Sequence, residues 1–78
     1  MTNTTIYTTP SCVYCKMVKE FFKEHNIDYK EKDVAKETLA REEMFKISQQ
    51  MGVPVIDIDG NIIVGFDKER LSELLGIK

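Results

Sequence analysis

The sequence predicts an α/β fold, a four-stranded mixed sheet flanked by three helices in the chain order βαβαββα. Two observations carry it. Apolar residues switch repeatedly between short runs rich in β-branched side chains and stretches with helical spacing. The connections then set strand direction. A helix-like stretch joins the first two runs, so those strands are parallel with a right-handed crossover. Asp59-Gly60 joins the last two, the strongest short signal for an antiparallel hairpin.

Residues 4–9 are dense in threonine, isoleucine and tyrosine and end at Pro10-Ser11, which predicts the first strand. Over residues 13–26, Val13, Tyr14, Met17, Val18, Phe21 and Phe22 recur at i, i+4 and i+8 and make one helical face, with Lys16, Lys19 and Lys23 on the other. Residues 27–34 are mostly charged, which suits a strand at the sheet edge, where charge discourages unwanted pairing. A second helix is expected over residues 36–51, with Ala40, Met44, Ile47 and Met51 on one face and Gly52 as its stop. Glu37 with Arg41, and Glu42 with Lys46, have the favourable i,i+4 order for ion pairs on it. Residues 53–58 and 61–64 form the hairpin strands. A last helix covers residues 67–75, buries Leu71, Leu74 and Leu75, and stops at Gly76.

A chain of 78 residues with 42% hydrophobic content has room for one domain, residues 1–78, around a single core. A net charge of −2 provides no field for nucleic acid or an anionic membrane. The first five residues lack the charged and apolar regions of a secretory signal, and no apolar run has the length of a membrane span. The expectation is therefore a cytoplasmic protein without nucleic-acid or membrane partners, and a monomer. In that compartment thiols are kept reduced, and a disulfide is usually transient and catalytic or redox-sensing.

Both cysteines fall in Cys12-Val13-Tyr14-Cys15, at the junction of the first strand and first helix. A disulfide closing so small a loop removes little chain entropy, so the pair is a poor structural staple. A dithiol at such a junction suits thiol–disulfide exchange, in which one thiolate attacks a disulfide and the second thiol releases the mixed disulfide. Cys12 is placed at the helix N-terminus, where unpaired N–H groups and the helix dipole favour negative charge, and is the expected nucleophile. Cys15, one turn inside, is the expected resolving thiol. Lys16 adds positive potential nearby, although it also reads as one of three lysines on a solvated face.

Val53-Pro54 is the second chemical signal. Proline opening a strand removes a ladder donor and belongs where something else pairs with the backbone. The topology brings this strand's start to the dithiol end of the sheet, and a cis bond there would offer the Val53 backbone to an extended substrate. His25 falls about 20 Å along the helix from Cys12 and suits the last turn rather than a catalytic base. Met17, Met44 and Met51 read as core. Asp67 reads as a helix N-cap by residue type. Two alternatives to redox catalysis stay open. One is metal or iron–sulfur binding across a dimer, because Cys12 and Cys15 alone cannot complete a four-ligand site. The other is a binding module that senses redox state through the dithiol.

Ile6-Tyr7-Thr8, Pro10, Cys12-Val13-Tyr14-Cys15, Val53-Pro54 and Gly65-Phe66-Asp67 resemble, in order and spacing, the landmarks of the glutaredoxins, small oxidoreductases of thioredoxin-like fold. The resemblance covers nearly the whole chain. It implies that Cys12 is the nucleophile, that Val53 pairs with the backbone of bound glutathione before a cis Pro54, and that Tyr14 flanks the bound thiol. It also implies ligand contacts at Gly65, Phe66 and Asp67. Three departures stand out: Val13 for the family's usual proline, Thr9 for a lysine that contacts a glutathione carboxylate, and Lys68 for the second of two aspartates. Gly65-Phe66 is similar instead to the hydrogen-donor redoxins of ribonucleotide reductase, which thioredoxin reductase reduces. The implied activity is reduction of protein disulfides or glutathione mixed disulfides, with no bound cofactor or metal and with glutathione or thioredoxin reductase as electron donor.

Overall fold

The chain, seen in a computed structural model, follows the order expected: β1 (Thr4–Thr8), α1 (Val13–Glu24), β2 (Lys30–Asp33), α2 (Thr38–Ser48), β3 (Val55–Ile58), β4 (Asn61–Val64) and α3 (Lys68–Leu75). The structure describes residues 3–77; Met1 and Thr2, part of the segment read for a targeting signal, lie outside them. The four strands form one sheet in the order β2-β1-β3-β4. β1 pairs parallel with β2 and antiparallel with β3, which pairs antiparallel with β4. The charged β2 lies at an edge, as its composition predicts.

Strand alternation splits the core between the two faces of the sheet. Ile6, Ile56, Ile58 and Ile63 point to one face and pack with Val18, Phe21 and Phe22 of α1 and Leu71 of α3. Tyr7 and Val55 point to the other and pack with Val34 and with Ala40 and Met44 of α2. The Tyr7 hydroxyl donates to the Glu43 carboxylate of α2, which also binds Lys32 of β2 at 2.7 Å. Burial, then the Glu43 carboxylate, push the Tyr7 hydroxyl well above its ordinary range. Among the described residues no helix is long and apolar enough to cross a membrane.

Several boundaries differ from the sequence reading. α1 ends at Glu24 because Asn26 turns left-handed (φ 54°) and the Ile27 N–H bonds back to the Phe22 carbonyl at 2.8 Å. That diverts Ile27 from the ladder, and with Tyr29 it packs on the core, so β2 begins only at Lys30. α2 starts at Thr38 because Asp33 folds over residues 35–37: its Oδ1 accepts from the Ala35 N–H at 2.9 Å and its carbonyl from the Glu37 N–H at 2.9 Å. Left-handed Gln49 (φ 60°), not Gly52, ends it. Met51 consequently lies outside the helix and is exposed, and Met17 is exposed too, so of the three methionines read as core only Met44 is buried. Gly52 has a different task. Its N–H and carbonyl both bond the Gln50 side-chain amide, so closely that a Cβ would come within 2.7 Å of Gln50 Oε1. The two ion pairs expected on α2 do not form; among the described residues the pairs are Lys19–Glu31, Lys32–Glu43 and Arg70–Glu73.

α3 is capped as expected: the Asp67 carboxylate accepts from the Arg70 N–H at 3.1 Å, and Gly76 ends the helix in a left-handed conformation (φ 71°). Replacing Asp67 by alanine should cost about 1 kcal/mol and replacing it by asparagine only a few tenths, because asparagine caps equally well. Urea melts of the two variants check this, and equal losses in both would show that charge, not capping, is what Asp67 contributes.

Candidate functional site

The dithiol sits where the geometry of helix termini would put it. Thr9 to Cys12 make a turn closed by the Cys12 N–H and the Thr9 carbonyl at 3.3 Å, and Cys12 becomes the N-cap of α1. Its Sγ fills the place usually taken by a serine or aspartate oxygen and accepts the Cys15 N–H at 3.1 Å. Both thiols are free; Cys12 is partly exposed and Cys15 is 1% exposed. Burial pushes the Cys15 thiol up to about 12, reinforced by its hydrogen bond with Cys12, while the Thr9 backbone N–H and the charge of Lys19 oppose that rise. The two sulfurs thus occupy unlike environments, one turn apart.

The helical face expected from the sequence is split. Val18, Phe21 and Phe22 enter the core, but Val13 is 68% exposed and Tyr14 61%, and together with Met17 they leave apolar surface beside Cys12. Cys15 takes the buried position of that first turn instead. His25 caps the far end of α1 and packs on Phe21, with ring centroids 4.6 Å apart, away from the dithiol.

β3 runs antiparallel to β1, so its start comes to the end of the sheet where β1 delivers the cysteines. The Val53–Pro54 bond is cis, as expected. Val53 precedes the first ladder pair of β3, and among the described residues its backbone N–H and carbonyl have no hydrogen-bond partner. Pro54 is buried, and its carbonyl accepts the Gly65 N–H at 2.8 Å, which joins the start of β3 to the segment leading into α3. Gly65 adopts φ 85°, a conformation that a side chain would strain although the space beside it is open. Phe66 is half-buried, edge-on to Phe21 with centroids 6.2 Å apart. Asp67 is exposed, one carboxylate oxygen committed to its cap.

Sequence reasoning missed one group near the dithiol. Helical spacing puts Lys19 on a solvated face, but its ammonium bonds Glu31 Oε2 at 2.9 Å, and the buried Thr8 hydroxyl donates to the same oxygen at 3.0 Å. Lys19 first, and Thr8 with it, hold the Glu31 carboxyl below its ordinary range. The i,i+4 spacing of Cys15 and Lys19 was the available signal. A concavity of about 420 Å³ opens at the start of α2, lined by Lys32, Leu39 and Glu43 among others and by none of the candidate site residues. Among the described residues no group of three or more His, Cys, Asp or Glu side chains is arranged to hold a metal ion.

The glutaredoxin family model matches residues 4–63. A glutaredoxin-like 8.6 kDa protein from the rubredoxin operon of Clostridium pasteurianum is 53% identical over 90% of this chain and 93% of its own length. Glutaredoxin 3 of Escherichia coli is 36% identical over 86% of this chain and 81% of its own. Among solved structures, a mutant of the thioredoxin-like protein BC3987 superposes with a TM-score of 0.93 and 37% identity, covering all of both chains.

Proposed function

Because the chain belongs to the glutaredoxin family and so has thiol–disulfide oxidoreductase character, we propose that Cys12 and Cys15 are its working dithiol and that disulfides of other proteins, or their glutathione mixed disulfides, are its substrates. The Cys12 thiolate attacks one sulfur of the substrate, forming the mixed disulfide and expelling the other sulfur as a thiolate that takes up a proton. Cys15 then gives up its proton, attacks Cys12 Sγ and releases the second substrate sulfur as a thiol. The substrate has gained two electrons and the protein holds a Cys12–Cys15 disulfide, which an external donor reduces. The observation that carries this reading is the contrast between the two sulfurs: a partly exposed N-cap and a buried partner one turn inside. The unpaired Val53 backbone, beside Pro54, is the proposed strand-like contact for a bound chain. Tyr14 flanks the reacting sulfur, and Gly65, Phe66 and Asp67 form the far wall. The whole chain, residues 1–78, is proposed as a single domain that works as a monomer in the cytosol without a bound cofactor.

The donor follows from charge. Glutathione presents two carboxylates and an ammonium, and charge-assisted contacts to such groups are the strong ones. Thr9 cannot supply positive charge, and exposed Lys68 opposes the ammonium. The apolar surface of Val13, Tyr14 and Met17 suits a protein partner instead. Glutathione is therefore expected to be a poor donor and thioredoxin reductase at least its equal. Steady-state turnover of one disulfide substrate, driven by NADPH through glutathione and its reductase or through thioredoxin reductase, decides it. Fast turnover with glutathione and none with thioredoxin reductase would overturn the donor assignment; no turnover with either would overturn the oxidoreductase reading.

A further inference from the structure

Resolution asks Cys15 to react as a thiolate in a place where burial opposes ionisation. Lys19 lies one helical turn beyond it at i+4, where side chains are neighbours. Its ammonium is held rather than free, bound to Glu31 Oε2 at 2.9 Å with the side chain 28% exposed. The Thr8 hydroxyl, 3.0 Å from the same oxygen, is itself buried at the end of β1. These contacts hold a positive charge one helical turn from the resolving sulfur.

We propose that Lys19, fixed by Glu31 and Thr8, is a positioning residue for the resolving step, its charge stabilising the Cys15 thiolate as that sulfur attacks the Cys12 mixed disulfide. The proposal rests on the dithiol reading above. In this step the Cys15 S–H bond is lost and the Cys12–Cys15 bond forms. The bond from Cys12 to the substrate sulfur breaks with its electron pair on the substrate, which takes up a proton. Formation of the mixed disulfide has already removed the charge on Cys12 that opposes ionisation of Cys15, while the Lys19 charge remains. The charged and titratable groups bearing on Cys15 are Cys12 at the N-cap, Lys19 of α1 and, through Lys19, Glu31 of β2.

The test mixes reduced full-length protein with one equivalent of the aromatic disulfide dithiobis(nitrobenzoate) and follows the coloured thiol by stopped flow across pH. The parent releases one equivalent on attack and a second on resolution. K19Q should slow the second release by about fivefold near neutral pH, the scale of one charge at a partly solvated site one turn away, and move the pH midpoint of that phase upward. K19R should restore both. E31Q should not slow the second release, since it leaves the ammonium uncompensated and a carboxamide oxygen still able to hold it. An unchanged second phase in K19Q overturns the proposal, as does equal slowing in K19Q and E31Q, which would make the pair only a brace between α1 and β2. A parent that releases a single equivalent overturns the dithiol reading instead.

Discussion

Cys12→Ser is expected to abolish disulfide reduction to background, whereas Cys15→Ser retains the attack and stops there. The contrast is informative because neither change should disturb the fold. Serine is a good N-cap, and its oxygen can accept the Cys15 N–H now bound by Cys12 Sγ at 3.1 Å. Far-UV spectra of C12S should match the parent. Mass spectrometry after exposure to a protein disulfide should find a reducible adduct on C15S and none on C12S. In the parent, alkylation near neutral pH should modify Cys12 long before Cys15, which is 1% exposed and whose thiol is pushed up to about 12. Adduct on C12S, or equal alkylation of the two sulfurs, would reverse the roles assigned to them.

The largest effect on stability is expected at Phe22. It is fully buried between α1 and the sheet, and its ring also packs on Tyr29 with centroids 5.1 Å apart. Truncation to alanine loses the transfer energy of the ring and leaves a cavity, together about 3–5 kcal/mol. A domain of 78 residues has on the order of 4–12 kcal/mol in all, so Phe22→Ala should lower Tm by roughly 15 °C or more. Leu39→Ala, at a position 81% exposed, should stay within about 0.5 kcal/mol. Calorimetry or urea melts of the pair measure the difference. A loss below about 1 kcal/mol at Phe22 would contradict the packing described for this face.

The order of elements, the strand directions, the hairpin and the dithiol at its helix start were legible because each rests on local signals: alternation, helical spacing, Asp59-Gly60, and two cysteines two residues apart. Helix ends were less legible because side chains decided them. Asp33 consumed the N–H groups that would have opened α2 at Lys36, and Gln49, a residue with no special claim to a left-handed conformation, closed it before Gly52 could. Helical spacing identified an apolar face on α1 but could not show that its first turn projects beyond the sheet, where Val13 and Tyr14 find no cover. The packing of Phe66 was not legible because its partner, Phe21, is distant in sequence. Lys19 reads as solvated for the same reason: Glu31, itself bonded by Thr8, is distant in sequence and reaches it only through the sheet.

The position of β1 has a consequence for synthesis. Both cysteines leave the ribosome directly behind β1. One edge of that strand can be satisfied once Lys30–Asp33 has followed, but the other pairs with Val55–Ile58, about 50 residues downstream. A nascent chain that has grown only as far as α2 can carry the dithiol on its helix, yet its central strand still has a row of open N–H and C=O groups, and neither Val53 nor Gly65 has been added. The proposed reactive sulfurs are thus made well before the strands that complete the sheet beside them.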